Sequence, residues 1–380
     1  MKVQIAQGDC EASLRALAPL DSDRTLVVVF GAPDLADNHA PLKALERTMK
    51  ASKIVGCSSA GHFLQDELTD EGIVCAAIRF DSSAVRVAGE NVGGAADSCR
   101  AGQAVGAALC APDLRGVLVY SEGLEVNGAE LAKGLAQSLP AGVVATGGLA
   151  GDQDRFSRTW VCEGAHVSAG RVVAAGLYGD DLRLGHASKG GWDVFGPVRK
   201  VTRASGNILY ELDGKPALEI YKAYLGDRAS ELPASALLFP LAISETPNDV
   251  KPVVRTILAV DEKENAMVFA GDIPQDAFAQ LMRANLDRLI HAASESALDA
   301  QPNDLESTDV LSIAVSCVGR RLVLGERAEE ELGATLDTFP SDSRQIGFYS
   351  YGELSPLISG ACDLHNQTMT LTVITEAKAA

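Results

Sequence analysis

Strand-length apolar runs separated by helix-patterned stretches constrain this chain more than any other feature. Thr25-Leu-Val-Val-Val-Phe30 reads as a fully buried strand and Lys53-Ile-Val-Gly-Cys57 as the next; residues 116–120 and 143–146 supply two more. Helical patterns fall between them, at about 42–49, 95–109 and 128–138. Such alternation predicts an α/β fold of mixed sheets flanked by helices. Residues 72–80 and 85–92 read as an antiparallel strand pair turning at Asp81-Ser-Ser83.

After Trp160 the pattern shifts to short strands, at 172–178, 182–186, 200–204 and 208–212. Lys215-Pro-Ala-Leu-Glu-Ile-Tyr-Lys-Ala-Tyr-Leu225 then predicts an amphipathic helix, with Pro216 suited to its first turn. Residues 237–243, 253–260 and 266–269 read as strands. The stretch 276–300 reads as one long helix with Leu281, Leu286, Leu289 and Ile290 as its stripe. Residues 309–317 predict a buried strand, followed by an Arg- and Glu-rich helix near 322–332. In the tail, Thr368, Thr370 and Thr372 alternate with Met369, Leu371 and Val373, the period of a half-buried strand. No internal repeat is strong enough to count.

At 380 residues the chain exceeds one ordinary core, and two domains are expected, at 24–214 and 215–372, with a short tail at 373–380. A formal charge of −18 argues against nucleic acid or an anionic membrane as partner, because phosphates would be repelled. The N-terminus lacks an apolar core of signal-peptide length, and the longest apolar runs are far short of a membrane span, so a cytoplasmic protein is expected. The eight cysteines show no C-x-x-C spacing, and most read as small buried hydrophobes of a reducing compartment. Charge and helices do not decide between a monomer and a homodimer.

Two glycine-rich turns follow predicted strands. Gly56-Cys-Ser-Ser-Ala-Gly-His62 could present backbone N–H groups, with Cys57, Ser58, Ser59 and Gly61 facing a ligand, but it misses the G-x-S-x-G elbow by one position. Thr146-Gly-Gly-Leu-Ala-Gly-Asp152 lacks both G-x-G-x-x-G and a P-loop lysine; Gly148 and Asp152 remain ligand candidates, alongside a purely structural turn. Arg320, just after a buried strand, is placed to hold Glu353 or a ligand carboxylate, with an internal ion pair the more frequent outcome. Gly347-Phe-Tyr-Ser-Tyr-Gly-Glu353 and His365-Asn-Gln367 cluster polar groups at strand ends, which adds Tyr351, Glu353 and Asn366 to the ligand candidates. Axial ligation of non-covalent haem needs one neutral imidazole, for which His62, His186 and His365 are considered.

These segments together resemble the FIST family, whose members carry adjacent FIST N and FIST C domains. The resemblance rests on Gly56–Gly61, Gly147–Asp152, Gly191-Trp192, Val201-Thr202, Leu209–Gly214, Pro216–Tyr221, Cys317–Arg320, Gly347–Glu353 and His365–Thr368, and covers about residues 25–372. It implies a stand-alone sensory, ligand-binding protein rather than an enzyme. One bacterial branch senses nitric oxide through haem and regulates a partner histidine kinase in two-component and biofilm signalling. Where the family commonly carries an acid after Ser-Ser-Ala-Gly, this chain has His62, which makes His62 the first choice as ligand to the iron of haem b, with His186 and His365 next. The alternatives are a haem-free sensor of a small metabolite such as an amino acid, and a hydrolase using Cys57 or Ser58.

Overall fold

The computed structural model describes residues 1–232, 234–247, 252–302, 309–356 and 360–377. Its core is three six-stranded sheets with the same strand order. In each, two parallel strands joined through helix form the middle; two antiparallel strands extend one side and a short hairpin the other. The first sheet pairs Thr25–Gly31 with Lys53–Ser58, the second Leu114–Ser121 with Val144–Leu149, and the third Leu311–Cys317 with Arg344–Ser350.

The hairpins are exchanged in a ring. His62–Leu64 with Glu67–Thr69 follows the first sheet's parallel pair but adds to the third. Val161–Glu163 with His166–Ser168 follows the second and adds to the first. Gly352–Pro356 with Cys362–His365 follows the third and adds to the second. No sequence repeat announces this threefold plan.

The inner faces of the three sheets meet in one apolar centre. Phe30 of the first sheet stacks on Phe348 of the third at 4.5 Å, and Tyr120 of the second approaches Phe30 edge-on at 5.4 Å. Leu26, Val28, Leu118, Val173, Ile313 and Ile374 fill in around them. Helices cover the outer faces: Ala40–Thr48 on the first sheet, Ser98–Leu109 and Gly128–Ser138 on the second, and Leu286–Asp299, Val318–Leu324 and Ala328–Leu336 on the third. Asn127 caps the Gly128–Ser138 helix by accepting from the Glu130 N–H at 3.1 Å, satisfying an amide the first turn would otherwise leave free.

A fourth, eight-stranded antiparallel sheet, built from strands between Asp193 and Arg283, carries its own core against the Ala217–Leu225 helix. It is inserted between two strands of the third sheet, Leu182–Lys189 and Leu311–Cys317. A cut at 214/215 therefore divides this sheet, and strands from both sides of it share the second and third sheets.

Several local expectations change. Residues 276–300 do not form one helix: Phe278–Arg283 is a strand with Leu281 in the fourth sheet's core, and the helix starts at Leu286 behind an Asn285 cap. Ile73–Arg79 and Ala84–Asn91 are not partners; they lie in the first and second sheets. Lys2–Gly8, unassigned from the pattern, is an edge strand of the first sheet. The Met369–Glu376 strand is buried on both faces rather than one. Of the expected tail, residues 373–376 instead belong to that strand, and 378–380 lies outside the described residues.

Candidate functional site

The C-terminal ends of the three parallel pairs converge, and the glycine motifs lie there. The backbones interlock in the same cyclic sense as the hairpins. Ala60 N–H donates to the Tyr349 carbonyl at 2.8 Å, Gly151 N–H to Ser58 at 3.1 Å, and Tyr351 N–H to Leu149 at 3.2 Å. Two glycines are required by this closeness. Gly61 has φ of 114°, and a Cβ there would run into the Arg321 guanidinium; Gly147 has φ of 144°, with the Val119 carbonyl where its Cβ would stand.

A depression of about 450 Å³ opens beside these ends, lined by Ala60, Asp70, Gln153, Asp154, Val318, Arg321, Leu322 and Gly325. Arg321 clasps it: Nη1 and Nη2 donate to the two Asp70 carboxylate oxygens at 2.6 and 2.7 Å, and Nη1 also to the Ala60 carbonyl at 2.5 Å. The guanidinium lies 5.8 Å from the Tyr349 ring centroid. Hydrogen bonding to Arg321 holds the Asp70 carboxyl below its ordinary range. On the adjoining loop, Asp152 accepts from the Tyr351 hydroxyl, from Ser157 N and Oγ at 3.0 Å each, and from Arg158 N at 2.7 Å. Phe156, exposed, stacks on Tyr351 at 4.5 Å.

His62 stands behind this depression, fully buried. Its Nε2 is 3.1 Å from the Glu71 carbonyl, which only accepts, so Nε2 carries the proton; Nδ1 then accepts from Ser59 Oγ at 2.9 Å. Burial lowers its pKa to about 4 and keeps the ring neutral. Haem iron needs a ring nitrogen with a free lone pair in an apolar cavity. His62 offers neither, and the depression before it is lined by two carboxylates, an amide and a guanidinium. The residues around His62 do not fit haem.

The remaining expected residues divide into supports and a second cluster. Burial pushes the Cys57 thiol well above its ordinary range, and Ser58, also fully buried, accepts from Trp160 N at 3.0 Å through its Oγ. Gly148 packs beneath Val315 and Phe348. Arg320 pairs with Glu331 rather than Glu353 and ties down three carbonyls, of Gly190, Leu289 and Gln367. Sequence reasoning chose Arg320 and missed its neighbour Arg321. One step of about 100° around the Val318–Leu324 helix separates the residue aimed into the core from the one aimed at the depression.

Glu353 belongs to a polar seam between the second and third sheets. Its carboxylate oxygens accept from Ser350 Oγ at 2.8 Å, Thr368 Oγ1 at 2.8 Å and Thr368 N at 3.2 Å, and burial raises its pKa to about 8. Thr372 Oγ1 donates to Thr146 Oγ1 at 2.8 Å, and Ser188 Oγ lies 2.9 Å from Thr370 Oγ1. His186 stands on the same strand face as Ser188, its Nδ1 buried and without a hydrogen-bond partner. His365 Nε2 is 3.1 Å from the Ser355 carbonyl, and both amide atoms of buried Asn366 are unpartnered. Among the described residues, no group of three His, Cys, Asp or Glu side chains could hold a metal ion, and no helix is long and apolar enough to cross a membrane.

The interlocked strand ends carry the motifs of a known class of signal-transduction domains. The FIST N domain model matches residues 25–215 and the FIST C domain model residues 217–356. The chain belongs to the FIST family, whose domains are sensory domains of signal transduction. An uncharacterized protein of Methanocaldococcus jannaschii is 26% identical over 238 residues, covering 54% of this chain and 44% of that protein, so the chain spans less than half of that relative's length. The crystal structure of a cyanuric acid hydrolase from A. caulinodans aligns with 99% of each chain, at 8% identity and a TM-score of 0.42.

Proposed function

We propose that this protein is a haem-free sensor that binds a small zwitterionic metabolite, such as an amino acid, in the depression clasped by Arg321 and Asp70. The carrying observation is that acidic and basic side chains, Asp70, Asp154 and Arg321, meet in one depression at the strand ends. A ligand carboxylate would compete with Asp70 for the Arg321 guanidinium, and a ligand ammonium suits the carboxylates so released. Asp70 precedes and Arg321 follows the inserted sheet in sequence, so exchanging their pair for ligand contacts changes how the two FIST regions hold each other. That differential contact is what a binding-driven output to a signalling partner requires.

Thermal-shift and calorimetric titration across amino acids and organic acids tests this. A true ligand raises the melting temperature by mass action, and Arg321→Gln removes the response. No response to any zwitterion sinks the reading, as does a response that Arg321→Gln leaves intact.

A second reading, haem sensing of nitric oxide with a histidine kinase as partner, is favoured by one observation, the unpartnered Nδ1 of His186. Its test is an absorption spectrum with added haem: a stoichiometric Soret shift abolished by His186→Ala supports it, and no shift removes it.

A further inference from the structure

The polar seam ends at Arg255, contributed by the fourth sheet. This residue is 7% exposed; its Nε donates to the Asp272 carbonyl at 3.2 Å and its Nη1 to the Leu364 carbonyl at 3.1 Å. No described carboxylate lies within ion-pair distance of it; Asp363 and Asp272 act on it only from farther away. The Glu353↔His365 and Ser355↔Asp363 register puts these four side chains on the face of the second sheet that meets the third. His186 faces them: on its strand Leu184 reaches Gly116 of the second sheet, and Ser188 joins the threonine network.

Three groups on the elements that meet here lack a partner, Thr256 being the chain neighbour of Arg255. Thr256 Oγ1 on a residue 5% exposed, Ser355 Oγ on a residue fully buried, and His186 Nδ1 all lack a partner. A buried guanidinium in no direct ion pair and two unmatched hydroxyls are each costly, so the set calls for a partner.

We propose that the junction of the fourth sheet with the polar seam binds a small organic carboxylate, gripped by Arg255 and hydrogen-bonded by Thr256, Ser355 and His186. Burial lowers the pKa of both His186 and His365, so the imidazoles add no charge; the Arg255 guanidinium, with Asp363 farther off on the same face, is what meets the ligand. With one guanidinium in contact and a carboxylate farther off, a monocarboxylate is favoured over a phosphate dianion. The site is separate from the Arg321 depression and stands or falls without it.

The experiment titrates acetate and propionate into the full chain labelled with 15N-histidine. His186 ring resonances should shift saturably. Arg255→Gln should raise the Kd about tenfold or more, the worth of a charge-assisted hydrogen bond, while Lys222→Gln, at an exposed ion pair, leaves it within about twofold. Thr256→Val removes an unpartnered hydroxyl, serves if Arg255→Gln fails to fold, and should weaken binding about threefold or more. The proposal is overturned by the absence of saturable shifts, by unchanged affinity in the folded variants, or by binding of inorganic phosphate but neither carboxylate.

Discussion

The apolar centre and the polar seam are both contacts between sheets of the same strand order, yet they are filled in opposite ways. At the centre, Phe30, Tyr120 and Phe348 close against one another with aliphatic neighbours. In the seam, threonines, Ser188, His186, Glu353 and His365 occupy the gap. Topology thus sets where sheets meet but not what they meet with. An apolar filling needs close packing but no matching of donors to acceptors. A polar one holds together only where each donor finds an acceptor, so its gaps point to partners outside the chain.

The largest test of that contrast is Phe348→Ala. It removes a ring shared by all three sheets and should cost about 3–5 kcal/mol in urea unfolding. A much smaller loss would mean the sheets are not held at their centre.

Next is pH. The Glu353 carboxyl has a pKa raised to about 8 in the fold against 4.5 for an ordinary glutamate. Between these values the native state keeps a proton that the unfolded chain has released. Stability therefore falls as pH rises, by at most about 1.4 kcal/mol per unit, and levels off above 8. His62, lowered from 6.5 to about 4, works oppositely: the unfolded chain binds the extra proton, so stability rises with pH across that window. His186, His365 and the Met1 amine also titrate at the edges of the range from pH 6.5 to 8, so the Glu353 share is the part of the slope there that its substitution removes. Glu353→Gln should flatten that slope; a slope that persists assigns it elsewhere.

The smallest effect is expected from Thr372→Val, which leaves Thr146 Oγ1 without its partner and should cost about 1 kcal/mol. A gain in stability would show that the seam tolerates an apolar filling like that of the centre.

Much of this was legible in the sequence, but unevenly. The runs at 25–30, 53–57 and 116–120 declare buried strands because every face of them is apolar. The threefold plan was hidden because the matching strands Thr25–Gly31, Leu114–Ser121 and Leu311–Cys317 share only apolar character, and strand order leaves no mark on residue identity. Exchange of hairpins is likewise invisible: nothing in His62-Phe-Leu64 says that it pairs with Ile346, Gly347 and Phe348. Alternating Thr368, Thr370 and Thr372 signalled one wet face. The structure buries that face against another polar one, a partner no local pattern names. The Asn285 cap was a readable helix start that the leucine stripe across 276–300 obscured.

The ring of exchanged hairpins also bears on how the protein can be taken apart. Since each third lends its hairpin to one neighbour and borrows from the other, excising any one of them strips an edge from a second sheet and orphans strands of its own. Exposed strand edges recruit other chains. Fragments of this protein should therefore aggregate where most two-domain proteins would yield soluble halves, and limited proteolysis should show loss of the whole rather than a surviving domain.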